Sequence, residues 1–336
     1  MSSNAQGNEA LRILLLRGDK SPYEVLGGDG SVLPHLRLAA GDSSSEWIGD
    51  ERPKLSPKEP LVAEIGKDGL WLRQFDGTGR KVLSASAKVW VTLGGWSPDG
   101  QTLLFHQQLH SDMDDQPNVK PHGVTGFYLV HRKDYSVERL PKSVRGVEFW
   151  DDDSQHFIFF DLIHLIRMDL HGGAQEILRE CKQCFQLSHY GQRIVFWQPT
   201  SENPASAAQK WALKTASLRD NDATVVFEGG TWGEYQWPKV SPNGENIAFV
   251  HGKDGLSKNR PQRDPESIEV IANHPGAKPQ VIYQCEIANR YSHCGLEVWA
   301  SEQALIVLND GVAKRVTLRG EVTTLASNIQ YVVSGL

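Results

Sequence analysis

The sequence predicts an all-β fold: a β-propeller of four-stranded antiparallel blades, seven in number with six as the alternative, closed by N- and C-terminal strands that share one blade. Three observations carry this expectation. A turn phrase recurs, as "WSPDGQTLLF" around Ser97 and "KVSPNGENIAFV" around Ser241, with weaker copies at Ser56, Asp151, Ser188 and Ala300. Successive copies stand 41, 54, 37, 53 and 59 residues apart, and the shorter intervals fall near the roughly 40 to 50 residues of one propeller blade. Each copy is followed by the same order of parts, a strand-forming run and then a second hairpin.

The elements of one repeat follow in order. Strand A leads into the turn, where Pro presets φ and Gly accepts a positive φ, so that the chain reverses. Strand B is a β-branched and aromatic run, as in "TLLFH", "HFIFF", "RIVFW" and "NIAFV". Strands C and D form a hairpin about polar turn residues, as in "FYLVHRKDYSVERL" and "LIRMDLHGGAQEIL". At the ends, "LRILLLRG", "PYEVLGGDG" and "VLPHLRL" read as B, C and D, and "NIQYVVSGL" reads as their strand A. Sharing one blade between the termini covers edge strands that would otherwise invite aggregation. Residues 1–9 are expected to form a disordered tail and residues 10–336 a single propeller domain.

The turn phrase with its following "IAF" run resembles the TolB-like, Pro-Asp type of propeller repeat also found in relatives of prolyl oligopeptidase. The resemblance extends over nearly the whole chain, with Ser97 and Ser241 as its strongest matches. It implies the propeller fold far more than any one activity.

Composition narrows the partners. The 336 residues carry a formal net charge of -6, which gives no basic stripe for nucleic acid. Near the N-terminus the longest apolar run is "ILLL" at 13–16, flanked by Arg12 and Arg17. That is too short for a membrane span and wrongly flanked for a signal peptide. A cytoplasmic location is expected, or a periplasmic one if an export signal has been removed, and a monomer.

Candidate chemistry is sparse. His106, His110, Asp112, Asp114, Asp115 and His122 offer zinc or calcium ligands. Their spacing lacks the Gly turn and terminal Glu of a calcium loop, and they read as a solvated acidic loop. Cys181 and Cys184 form a Cys-x-x-Cys pair, but placed at the entry to a strand A, where residues three apart face opposite ways. Cys285 and Cys294 stand nine apart and do not complete a zinc set. Four reduced cysteines are expected, with no metal and no cofactor. The chain has no G-x-S-x-G elbow, H-E-x-x-H or P-loop, and the repeated serines read as turn residues. No catalytic residue is assigned.

Trp96, Trp150 and Trp299 each stand just before the turn, a packing position between neighbouring sheets. Trp232, Tyr235 and Trp237 lie in a D-to-A crossing and the start of a strand A. Burial against the adjacent blade is the expectation there, with stacking on a sugar or peptide as the functional alternative.

Length of connection is the collective signal. Three B-to-C connections are long: 107–124, 198–209 and 251–267. In an antiparallel blade the B-to-C and D-to-A connections leave from one end, so all three decorate one face. Long loops in a compact domain are usually functional or disordered. The expected function is therefore noncatalytic binding of a protein or peptide at that face, through His110, Asp112, Asp114, Asp115, Trp232, Tyr235, Lys258, Arg260 and Arg263. The alternatives are a lyase or glycan-cleaving enzyme with its site at the pore mouth, or a carbohydrate-binding module. For a pore site the inner strands offer only a mixed set: Lys54, Glu148, Lys239 and Glu297.

Overall fold

The computed structural model describes residues 12–17, 24–27, 52–66, 68–84, 89–109, 125–141, 144, 149–161, 163–171, 173, 175–200, 210–219, 222–230, 235–252, 266–286 and 294–334. Over these residues the chain is all-β and forms seven sheets. The expected tail at 1–9 and the expected strand at 32–38 lie outside the described residues.

Strands β1 (Arg12–Arg17) and β2 (Glu24–Gly27) open the chain, and β1 also pairs with the last strand, β27 (Ile329–Ser334). Leu14 lies opposite Val333 and Leu15 opposite Val332. The two ends of the chain thus share one blade, with the C-terminal strand in position A. The other six sheets each hold four antiparallel strands in chain order. Blade one runs from β3 (Lys54–Leu55) through β4 (Leu61–Gly66) and β5 (Gly69–Gln74) to β6 (Gly79–Ser84). Blade two comprises β7 (Val89–Trp96), β8 (Thr102–Leu109), β9 (Gly126–His131) and β10 (Val137–Arg139). Blade three comprises β11 (Phe149–Trp150), β12 (His156–Phe160), β13 (His164–Asp169) and β14 (Gln175–Glu180). Blade four comprises β15 (Phe185–Tyr190), β16 (Arg193–Pro199), β17 (Trp211–Ser217) and β18 (Ala223–Gly229). Blade five comprises β19 (Tyr235–Val240), β20 (Asn246–His251), β21 (Ser267–Ala272) and β22 (Gln280–Gln284). Blade six comprises β23 (Cys294–Ser301), β24 (Ala304–Asn309), β25 (Val312–Thr317) and β26 (Val322–Ala326).

The core lies between blades rather than inside any one of them. Leu103 and Phe105 of β8 pack with Leu61, Leu70 and Leu72 of blade one, while Leu104, between them, packs with Phe157 and Phe159 of blade three. Ile158 in turn packs with Ile194 and Phe196 of blade four. Successive side chains leave opposite faces of a strand, and here both faces are covered. The B strands therefore read as unbroken apolar runs.

The repeated turn explains its own sequence. Ser97 Oγ donates to Asp99 Oδ1 at 2.6 Å and accepts from the Thr102 amide at 2.9 Å. Ser241 repeats this with Asn243 at 2.7 Å and Asn246 at 2.9 Å. Gly100 and Gly244 close the two turns at φ of 70° and 73°, where a side chain would strain the backbone. Both serines are fully buried, so they clamp a turn and present no nucleophile. Ser188 departs from the expected pattern. It pairs with Val195 inside β15, and the chain reverses in two residues between Tyr190 and Arg193.

Candidate functional site

Two regions concentrate unusual side chains, and the inner strands build both. The first is the B-to-C end of blades four and five. Strand β15 bulges between Phe185 and Ser188, and β19 bulges between Gln236 and Lys239. At the bulges Gln186 and Trp237 adopt φ of 52° and 54°. Non-glycine residues in this region carry strain of about 1–3 kcal/mol each, and such strain gathers at functional positions. The two bulges brace one another, since the Trp237 amide donates to Gln186 Oε1 at 2.9 Å.

The strained geometry holds Trp237 58% exposed, contrary to the burial expected of it. The reason is the bulge, which breaks the alternation that would have turned this residue against the next blade. Phe185, also partly exposed, stands edge-on to Trp211 with ring centroids 5.3 Å apart. His251 lies opposite Tyr235, and its Nδ1 is 2.6 Å from the buried carboxylate of Glu269.

Both D-to-A crossings that flank this region are cross-linked. Cys181 is bonded to Cys184, and Cys285 to Cys294. The expectation of four reduced cysteines is thereby overturned. Its error was to place Cys181 and Cys184 in a strand. They occupy a turn between β14 and β15, closed by the Cys184 amide on the Cys181 carbonyl, which brings the sulfurs to one side. Gln198 Nε2 donates to the Lys182 carbonyl of that turn at 2.6 Å. The second crossing is held by Asn309, which accepts from Tyr283 Oη at 2.8 Å and from the Glu286 amide at 2.9 Å.

The second region is the channel wall. Arg52 Nη1, just ahead of blade one, lies 3.3 Å from Glu297 Oε2 of blade six, with the shared terminal blade standing between the two blades in the ring. Lys239 responds to Glu297, Arg52 and Lys54, and burial pulls its ammonium below the usual lysine range. Sequence reading had named Lys54, Lys239 and Glu297. It missed Arg52, which precedes the strand and belongs to no repeat motif.

A third cluster, Asp151, Asp153 and His156, brings its ligand-type atoms within 4.8 Å of one another in the turn of blade three. Arg167 occupies it, with Nε on Asp151 and Nη2 on Asp153, each at 2.5 Å. This is an ion-pair network. Of the expected partner-binding residues, His110, Asp112, Asp114, Asp115, Trp232, Lys258, Arg260 and Arg263 lie outside the described residues, as do His122 and Glu148. Tyr235 is placed by its backbone alone, in β19. His106 lies in β8 and packs on Phe127 with ring centroids 4.6 Å apart.

No family model matches the chain, and no curated protein matches it. Among solved structures it is similar to an oligogalacturonate lyase in complex with manganese, with a TM-score of 0.55 and 15% identity over 81% of this chain and 74% of that one. It is similar to a prolyl endopeptidase, with a TM-score of 0.51 and 13% identity over 81% of this chain and 42% of that one. TolB from Acinetobacter baumannii gives a TM-score of 0.46 and 15% identity, over 82% of this chain and 63% of that one. At these identities the likeness is one of fold alone. Among the described residues no helix is long and apolar enough to cross a membrane.

Proposed function

We propose that this chain is a noncatalytic propeller that binds a protein or peptide partner on its B-to-C face. Trp237, with Phe185 exposed on the neighbouring inner strand, serves as the apolar anchor, and the long connections at 107–124, 198–209 and 251–267 form the rim. The observation that carries this reading is Trp237 itself, an exposed indole held at a strained φ on a braced inner strand. Rigid exposed aromatics are the side chains that dominate binding energy at interfaces. The two disulfides support the reading, because both stiffen crossings at that end, and a stiff surface loses less entropy on binding. The rim carries Asp112, Asp114 and Asp115 in one connection and Lys258, Arg260 and Arg263 in another, which suits a partner of mixed charge. Disulfides persist in oxidising compartments, which favours the periplasmic alternative over the cytoplasm.

A second reading draws on the same indole. Trp faces stack on sugars as readily as on peptides, and one of the similar structures is an oligogalacturonate lyase. The two readings separate in one experiment. A random peptide library is selected on the intact chain, an oligosaccharide array is probed in parallel, and binders are measured by fluorescence anisotropy. Selected peptides should lose about tenfold or more in affinity for Trp237→Ala, and for chains in which 110–124 or 253–265 is replaced by a short Gly-Ser turn. Saturable binding of an oligosaccharide, with peptides indifferent to all three changes, would overturn the protein-partner reading in favour of the second.

A further inference from the structure

We infer that the Cys181–Cys184 bond is a thiol–disulfide exchange site, opened by a dithiol reductant while the fold stays intact, and that its state sets how firmly Trp237 is held. Only the consequence for partner affinity rests on the function proposed above.

The two disulfides differ in their surroundings. Cys285 and Cys294 are both buried, at 6% and 2% exposure, and stand nine residues apart. Cys181 is buried at 2% exposure, but Cys184 is partly exposed, and only three residues separate the pair. A shorter link gains less from closure, and an exposed disulfide is the kind that an incoming thiolate reaches. Between the cysteines, Gln183 is held at φ of 58°, a conformation costly for a non-glycine residue. Opening the bond lets that strain relax.

The bond also straddles a blade boundary. Cys181 is tied to blade three, its amide donating to the Ile163 carbonyl at 2.6 Å and its side chain packed with Ile158, Leu165 and Leu178. Cys184 leads directly into Phe185 and the bulge of blade four. Two residues past Cys184, Gln186 Oε1 accepts the Trp237 amide at 2.9 Å, and Gln186 and Trp237 both sit at left-handed φ. The covalent link thus fixes the start of β15 against blade three and, through Gln186, steadies Trp237. The exchange itself needs only a dithiol. One thiolate of the reductant attacks the Cys184 sulfur, the Cys181–Cys184 bond breaks, and the Cys181 sulfur leaves as a thiolate that takes up a proton. The second thiolate then attacks the reductant's own sulfur in the mixed disulfide and releases Cys184. Two electrons and two protons pass to the cysteines, and the reductant ends as its disulfide.

The full chain is equilibrated with graded ratios of reduced to oxidised dithiothreitol, thiols are trapped by alkylation, and each cysteine is read by mass spectrometry. Cys181 and Cys184 should be half reduced at a ratio about fivefold or more below that for Cys285 and Cys294, with the far-ultraviolet circular dichroism unchanged. In single variants, the Cys184 thiol of Cys181→Ser should react with a chromogenic aromatic disulfide about tenfold or more faster than the Cys181 thiol of Cys184→Ser. At a ratio that opens this pair alone, deuterium exchange at the Trp237 amide should quicken about tenfold or more, and selected peptides should bind about threefold or more weakly. The reduction and amide exchange are read on the wild-type chain, so they decide the matter even if a serine variant folds poorly. A pair that opens together with or after Cys285–Cys294, or only as the circular dichroism is lost, overturns the exchange site. An unchanged Trp237 amide overturns the coupling. Should no peptide be selected, the partner-binding reading fails, while alkylation and amide exchange still decide this one.

Discussion

The indole Nε1 of Trp150 donates to the carbonyl of Gly95, one blade back, at 3.2 Å. Trp96 reaches Lys54 in the same way at 2.9 Å, and Trp299 reaches Lys239 at 3.0 Å. All three tryptophans stand directly before the turn, and each satisfies an inner-strand carbonyl of its neighbour. The ring is thus held between blades by a repeated polar contact as well as by apolar packing.

Removing one such contact should be costly out of proportion to its size. Trp150→Phe leaves the Gly95 carbonyl without its donor and is expected to cost about 1–3 kcal/mol. Trp150→Ala adds a cavity and should cost about 3–5 kcal/mol. Trp237→Ala, at an exposed indole, should change stability by about 0.5 kcal/mol or less. Urea denaturation of the three variants checks the contrast, and equal losses at Trp150 and Trp237 would contradict the division of roles.

Closure gives a second prediction. Strand β27 supplies strand A of the blade begun by β1 and β2, and Val332 is buried in the cluster that joins that blade to blade six. Deleting residues 328–336 uncovers β1 and breaks the ring. Insolubility or a large fall in melting temperature is expected. A truncated chain that stays monomeric with unchanged melting would show that the shared blade contributes nothing.

How much of this was legible follows from which signals repeat. The strong turns at Ser97 and Ser241, the apolar B strands and the pre-turn tryptophans recur, so a single sequence displays them several times. Closure was legible because the two ends supply complementary parts of one repeat. What stayed hidden were departures from the repeat. Trp237 was expected to be buried, because alternation holds until a bulge interrupts it, and nothing in "YQWPKV" announces a left-handed φ. The cysteine pairs were misread for a similar reason: a boundary error of a few residues moved Cys181 and Cys184 from a turn into a strand. Arg52 escaped notice because its role depends on Glu297, far away in sequence and brought near only when the ring closes.

The disulfides yield a third prediction. In the chain-entropy account, cross-linking residues three and nine apart stabilises by about 2 and about 3 kcal/mol. Cys181→Ser with Cys184→Ser, and Cys285→Ser with Cys294→Ser, should each lower the melting temperature of oxidised protein. The second pair should do so more. Reductant should lower the wild-type melting temperature and leave a fourfold serine variant unaffected. A thiol count of four per chain on protein purified from an oxidising compartment would remove the basis for this prediction and for the proposed location.

The last prediction concerns pH. His189 holds in blade four the place that Trp96, Trp150 and Trp299 hold in theirs, and it stacks on Phe149 of the preceding blade with ring centroids 3.8 Å apart. Burial is the chief influence on its titration and pulls the pKa down to about 4, opposed in part by the charge of Asp151. The unfolded chain, with an ordinary histidine pKa near 6.5, takes up a proton first as pH falls. Between about 6.5 and about 4 the unfolded state therefore binds more protons than the folded state, and stability must drop across that window. Below about 4 both states are protonated and the contribution levels off. The full loss from this one group is about 3 kcal/mol. His189→Phe keeps an aromatic ring against Phe149 and cannot be protonated, so its stability should decline less than that of the wild type over the same window. Denaturation curves of the two proteins at several pH values from 7 to 4 test this by difference, which cancels every other titrating group. Parallel curves would mean that His189 is protonated in the folded state as readily as in the unfolded one, and that its stacked position is not the dry site described.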